Sequence, residues 1–343
     1  MKKTLLVFAM VLVAAYTMAQ ENKGKSWDVG GVATLKFSQT QLSTHWQAGG
    51  ISAISVDGLL NLYANRNGEE IKEKVYKSKW ENTLDLGYGI LKQRGFPVIK
   101  SEDRIDFNSK YGLSINDNGK LFVSGLLNFK TQFDIGIEAT EVTEEILTAD
   151  STTLTLTRLD TNTVSRFLAP AYLNFGLGLD YKPIDSKSDL RDISFSLYYS
   201  PVNSKVTIVR DDALVARYMP EKFALEGKNV RYELGTHLRL KLRVEFLKDK
   251  SFLKNLAFQT QLDLFSNYLE DFMSEIDVNW ESLLSFKINN YITATLFTHL
   301  IYDDDIKFNI QDESGQVIGQ GPRTQFKEVL GIGLTYKFAR KKK

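Results

Sequence analysis

Few groups in this chain are suited to covalent chemistry. It has three histidines and no cysteine. His45 stands beside Ser43 and Thr44, which raises the question of an acyl hydrolase. Such an enzyme needs a nucleophile, a base within hydrogen-bond reach and a third group to orient the base. The spacing here supplies no such set, so His45 reads as a polar loop histidine beside Trp46. His237 and His299 both face the predicted lumen, but with three histidines and no cysteine a transition-metal site is poorly supplied. Asp303, Asp304 and Asp305 offer carboxylate oxygens but lack the spaced ligands and the glycine of a calcium loop. They read as a solvated acidic loop. The most informative constellation is a basic row on alternate residues, Arg239, Lys241 and Arg243, with Asp263, Asp277 and Glu281 as acidic counterparts further on. Such a row either lines a path for an anionic solute or pairs with acids across an interior. No residue is assigned as a catalyst, and neither a metal nor a cofactor is expected.

Alternate residues share a face only on a strand. Residues Asn229–Leu247 meet that condition. Val230, Tyr232, Leu234, Leu238, Leu240, Leu242, Val244 and Phe246 fall on one side, and the basic row with Arg231, Glu233, His237 and Glu245 on the other. A helix would repeat near three and four residues, which this run does not. Lys120–Ala139 behaves likewise, with Leu121, Val123, Leu127, Phe129, Phe133, Ile135 and Ile137 opposite Ser124, Asn128, Lys130, Gln132, Asp134 and Glu138. Strands of water-soluble sheets run to about five or six residues. Segments this long, apolar on one side and charged on the other, are the signature of a transmembrane β-barrel.

Counting such segments predicts twelve strands, near residues 28–38, 51–64, 73–90, 103–116, 120–139, 169–182, 192–200, 229–247, 255–268, 275–287, 291–302 and 326–338. The connections after even strands are short, among them Asp117-Asn118-Gly119 and Asn289-Asn290. All the long polar ones, 140–165, 201–228 and 303–324, follow odd strands. Within the first of these, a Thr-Leu-Thr-Leu-Thr stretch suits a small hairpin. An even count puts both termini on the periplasmic side, and the loop lengths agree with it. A large soluble sheet or sandwich would also alternate. The strand lengths, the aromatics near strand ends and the export signal speak for the membrane, where no open sheet edge survives.

That signal is Lys2 and Lys3, an apolar run Leu5 to Tyr16, and Thr17-Met18-Ala19 before Gln20, so residues 1–19 read as a signal peptide and 20–343 as one barrel domain. The full chain has 43 Lys+Arg against 42 Asp+Glu. Such balance argues against nucleic acid as a partner, and the absence of cysteine excludes a disulfide framework. A mean hydropathy of −0.22 is no objection to a membrane site, because only alternate residues face lipid.

Trp27, the Trp46-Gln47-Ala48-Gly49-Gly50 step, Trp80-Glu81-Asn82 and Gly87-Tyr88-Gly89 resemble an uncharacterised family of Bacteroidota proteins, a domain of unknown function described as outer-membrane barrels. The resemblance implies a location and a fold, and brings no reaction or functional residues with it. The expectation is an antiparallel up-and-down barrel of about twelve strands in outer-membrane lipid, serving as a narrow channel or transporter for a small hydrophilic solute. The alternative is a structural or assembly barrel with a plugged lumen, binding another envelope protein through its outer loops. An enzyme in the outer membrane is the weakest of the three.

Overall fold

The computed structural model describes residues 27–41, 52–72, 75–147, 153–187, 191–246, 255–269, 275–289, 291–311 and 317–339. The expected signal peptide, His45 and the Trp46-to-Gly50 step lie outside them. Twelve strands close into one barrel, each hydrogen-bonded antiparallel to its neighbours in sequence, with the last paired to the first. They are β1 (Trp27–Thr40), β2 (Ala53–Asn67), β3 (Ser78–Gln93), β4 (Val98–Ser114), β5 (Leu121–Thr131) and β6 (Ala171–Lys187). The second half is β7 (Arg191–Ile208), β8 (Val230–Phe246), β9 (Leu256–Asn267), β10 (Asp277–Lys287), β11 (Ile292–Tyr302) and β12 (Gln325–Ala339). The predicted number, order and topology of strands all hold.

The outer wall is apolar. Leu35, Phe37, Leu113, Val123, Leu177, Leu334 and Tyr336 are each about half exposed or more, and nearly every strand adds to the belt. A soluble protein would not leave so continuous an apolar surface to water, whereas lipid takes it without cost. Closure satisfies the backbone groups, which have no water to turn to at that depth. Near the end that holds the termini, Trp27, Trp80 and Tyr111 pack as an aromatic cluster, with ring centroids 5.3 and 6.3 Å apart. The polar groups of the motif beside them are satisfied on the outer face. Trp80 Nε1 donates to Ser109 Oγ at 2.9 Å, Ser109 Oγ donates to Asn82 Oδ1 at 2.7 Å, and Asn82 Nδ2 donates to the Ala64 carbonyl at 2.8 Å. The motif is thus an interfacial girdle.

Several predicted boundaries shift, three of them for reasons visible in the structure or with consequences for it. The long segment Lys120–Ala139 does not stay in the wall: β5 stops at Thr131, and Gly136–Leu147 pairs instead with Thr153–Ser165 in a separate hairpin at the loop end. The reason is a contact from β4. The Asp103 carboxylate accepts hydrogen bonds from the Phe133 and Asp134 backbone at 2.7 and 3.1 Å and turns the chain out of the sheet. Strand β4 begins at Val98, five residues before the predicted start. Strand β7 does not end at Ser200 but runs to Ile208 through a bulge between Ser200 and Asn203. The bulge absorbs Pro201, which cannot donate to the ladder. After β7, three short helical turns, Asp212–Leu214, Val215–Tyr218 and Glu221–Leu225, fold over the loop end. Leu214, Val215 and Met219 pack there on Ala169 and Val209 in a small apolar core.

Candidate functional site: the charged lumen

The inward faces of the strands fill the barrel with paired charge in three layers. Toward the terminus end, Lys110 Nζ reaches Asp180 at 2.6 Å and Lys182 Nζ reaches Glu81 at 2.6 Å. Ser196 Oγ completes the layer by donating to Asp180 Oδ1 at 2.6 Å. Lys79 and Lys182 both stand 5.7 Å from the centre of the Phe122 ring, and Phe122 itself is only 1% exposed.

The middle layer is a waist. Asp263 Oδ1 is bound by His237 Nε2 at 2.7 Å and by Arg239 Nε, while Asp263 Oδ2 accepts from Gln261 Nε2 at 2.7 Å. The carboxylate can only accept, so His237 Nε2 carries a proton. Arg239 then crosses to Asn108 Oδ1 on β4 at 3.2 Å. Asn128 Nδ2 bridges Asp106 and Asn108 at 2.7 and 3.0 Å. Glu281 on β10 gathers Arg104 at 3.5 Å, and Lys130 and His299 each at 3.7 Å. Strands β4 and β10 are six places apart in a ring of twelve, so the Arg104–Glu281 pair joins opposite walls.

At the loop end, Lys205 Nζ binds Asp277 at 2.6 Å and Arg231 Nη1 binds Asp305 at 2.6 Å.

The predicted basic row and its acids all face this interior, but only part of their pairing matches. Arg239 and Asp263 are direct cross-strand partners and form the expected pair. Asp277 and Glu281 do not meet the row: Asp277 is taken by Lys205, and Glu281 by Arg104 and Lys130. Shear carries them to other levels of the barrel. Arg243 pairs with Glu245 two residues along its own strand at 3.0 Å. Lys241 has no ion pair or hydrogen bond among the described residues, and it is exposed on the terminus side of the waist. The mixed charge therefore forms a network that fills the barrel, rather than one basic stripe.

Sequence reasoning missed several lumen groups. Phe122 and Leu126 point inward and are almost fully buried, as is Tyr198. Their signal was present: Leu121-Phe122-Val123 and Leu126-Leu127 are apolar on both faces, which marks a strand buried on both sides. Gly176 and Gly178 face inward, but the space they leave is taken. A Cβ at Gly176 would lie 2.6 Å from Asn203 Oδ1 and 3.1 Å from the Tyr198 hydroxyl.

Known proteins add the following. The translocator domain of the autotransporter NalP from Neisseria meningitidis is 10% identical, with 98% of this chain and 96% of that one covered at a TM-score of 0.29. The NanC porin is 10% identical, with 90% and 100% covered and a TM-score of 0.32. An outer membrane channel from Pseudomonas putida F1 is 9% identical, with 93% and 97% covered and a TM-score of 0.31. No curated protein sequence matches the chain. Residues 37–136, which hold the Trp80-Glu81-Asn82 and Gly87-Tyr88-Gly89 steps, match the family model described as a protein of unknown function, DUF3078.

Proposed function

We propose that this chain is an outer-membrane barrel acting as a narrow channel for a small hydrophilic solute, closed in the state described here by its charged waist. The termini and short turns then face the periplasm, and the hairpin of 136–165 and the helical loop face outward. The observation that carries the reading is the Arg104–Glu281 pair with Lys130, drawn from opposite walls. Buried ion pairs are poor stabilisers, because desolvation offsets most of their attraction. A plug selected for strength alone would be packed with apolar side chains. A waist of mixed charge closes the path yet stays hydratable, and charged constrictions set the selectivity of pores. Rearrangement of a few long side chains opens it.

The plugged, loop-binding barrel is favoured by one feature, the buried Phe122, Leu126 and Tyr198 on the lumen face. Single-channel recording in planar bilayers separates the two. The channel reading predicts small, infrequent steps for the natural chain, and larger or longer ones for Glu281→Gln, which frees Arg104 and Lys130 from the opposite wall and leaves them to Glu102 and Asp106 on β4. If Glu281→Gln folds, runs as a heat-modifiable band and stays silent, the channel reading is overturned and the plugged barrel takes its place.

A further inference from the structure

We propose that the outer mouth of the barrel holds a binding site for a primary ammonium group of a small organic amine, built around Glu233. The site goes beyond the channel reading and does not require the lumen to conduct. A small cavity opens at the loop end, lined by Glu233, Phe265, Glu275, Asp277, Asp304 and Asp305 among others, with room for about one group the size of a water or an ammonium.

Two independent observations say that it takes a cation. The first is the state of Glu233. Its side chain is 2% exposed, Lys205 and Arg231 stand off at 3.6 and 3.4 Å from Oε1, and Oε2 has no hydrogen-bond partner. A buried carboxylate oxygen left without a donor costs more than almost any other unpaired group. The two cations are held elsewhere, Lys205 by Asp277 and Arg231 by Asp305, both at 2.6 Å.

The second observation is the charge count. Among the described residues, Glu233, Asp277, Asp303, Asp304 and Asp305 converge on the mouth, and the cations paired with them there are Lys205, Arg231 and Lys307. Burial holds the Asp303 carboxyl above the ordinary aspartate range. Asp277 and Asp305 push the same way, and Lys205 opposes them. A further positive group would relieve this crowding.

The ligand's shape follows from the geometry. No group of three His, Asp or Glu among the described residues is placed to share one metal ion, so the site does not suit a bare divalent cation. An ammonium has three directed donors and tolerates separated acceptors, such as Glu233 Oε2 with Asp277 and Asp305. The Phe265 ring already lies 5.1 Å from one ammonium, that of Lys205, and forms an aromatic wall for a second.

The test is titration calorimetry on the full folded chain in detergent micelles, with 1,4-diaminobutane as the probe and calcium chloride as a parallel titrant. We expect saturable amine binding that Glu233→Gln weakens by about tenfold. Asp185→Asn at the opposite end should leave it unchanged. Asp304→Asn, on the loop outside the wall, gives a second reading should Glu233→Gln fail to fold, and it too should weaken binding. No saturable heat with the natural chain, equal binding by Glu233→Gln or Asp304→Asn, or displacement of the amine by calcium would each overturn the site. Binding is read without flux, so it can fail while the channel reading stands, and the reverse.

Discussion

Asp263→Asn is the sharpest test of the waist. In the natural chain the Asp263 carboxylate is held by Arg239, His237 and Gln261, and the Arg239 and Asp263 side chains are 13% and 12% exposed. The amide keeps the shape but removes the charge. Arg239 is then left in the lumen with Asn108 as its remaining hydrogen-bond partner. Breaking a buried pair by removing one partner costs about 3–5 kcal/mol, because the other charge stays buried and uncompensated. Some residual hydration of the lumen argues for the lower end, so we take ~3 kcal/mol, a factor of roughly 150 in the unfolding constant. The assay is urea unfolding of the barrel in lipid vesicles, followed by tryptophan emission and the heat-modifiable band. Removing both charges, with Asp263→Leu and Arg239→Leu together, should recover most of the loss, since a well-packed apolar pair is often no less stable than the ion pair it replaces. A single variant within about 1 kcal/mol of the natural chain would show that water reaches Arg239 freely. The waist would then not be closed, and the reasoning would fail.

Two other outcomes follow from named contacts. Gly178→Ala should destabilise the barrel by about 1–3 kcal/mol in the same assay, because a Cβ there would overlap the Tyr199 carbonyl oxygen, where the β7 bulge presses on β6. Amine binding at the mouth should strengthen as pH rises above the ordinary aspartate range. The raised Asp303 carboxyl is still protonated there and gains its charge late, whereas the hydrogen bond from Lys307 keeps Asp304 ionised to lower pH. Calorimetry across that window, with Asp303→Asn flattening the profile, checks the sign.

The wall was legible in the sequence because one local rule writes it. Apolar and polar residues alternate along each strand, and the lipid enforces that alternation residue by residue. Pairing between adjacent strands was legible for a related reason. Strands adjacent in sequence pair with a register set by their own pattern, so Arg239 and Asp263, on neighbouring strands, meet as expected. The waist was not legible. Whether Glu281 faces Arg104 or Arg243 depends on shear summed around the whole ring, and nothing near either residue records that sum. The breaks at Thr131 and Ser200 were hidden for yet another reason. Each is imposed by a partner distant in sequence or by a bulge: the Asp103 carboxylate that caps residues 133 and 134, and the extra residues opposite Thr236.

The split between what was legible and what was not bears on function. A barrel needs its alternation to exist, but it does not need charges of both signs to meet in its lumen, and polar uncharged residues could fill the same space at less desolvation cost. Glu281 answers to two cations and a histidine from three strands, each at 3.5–3.7 Å, and none is locked in a short bidentate clamp. Contacts of that length hold a side chain loosely enough for it to change partners. His237 and Arg239, by contrast, grip Asp263 closely from one wall. The waist thus has a fixed side, β8 with β9, and a loose side, Arg104 and Lys130 with Glu281. An opening that swings the loose side away leaves the fixed side in place as a lining of alternating sign, with the unpaired Lys241 next in line toward the terminus end. That asymmetry is why Glu281, rather than Asp263, is the residue whose replacement should change conductance without unmaking the barrel.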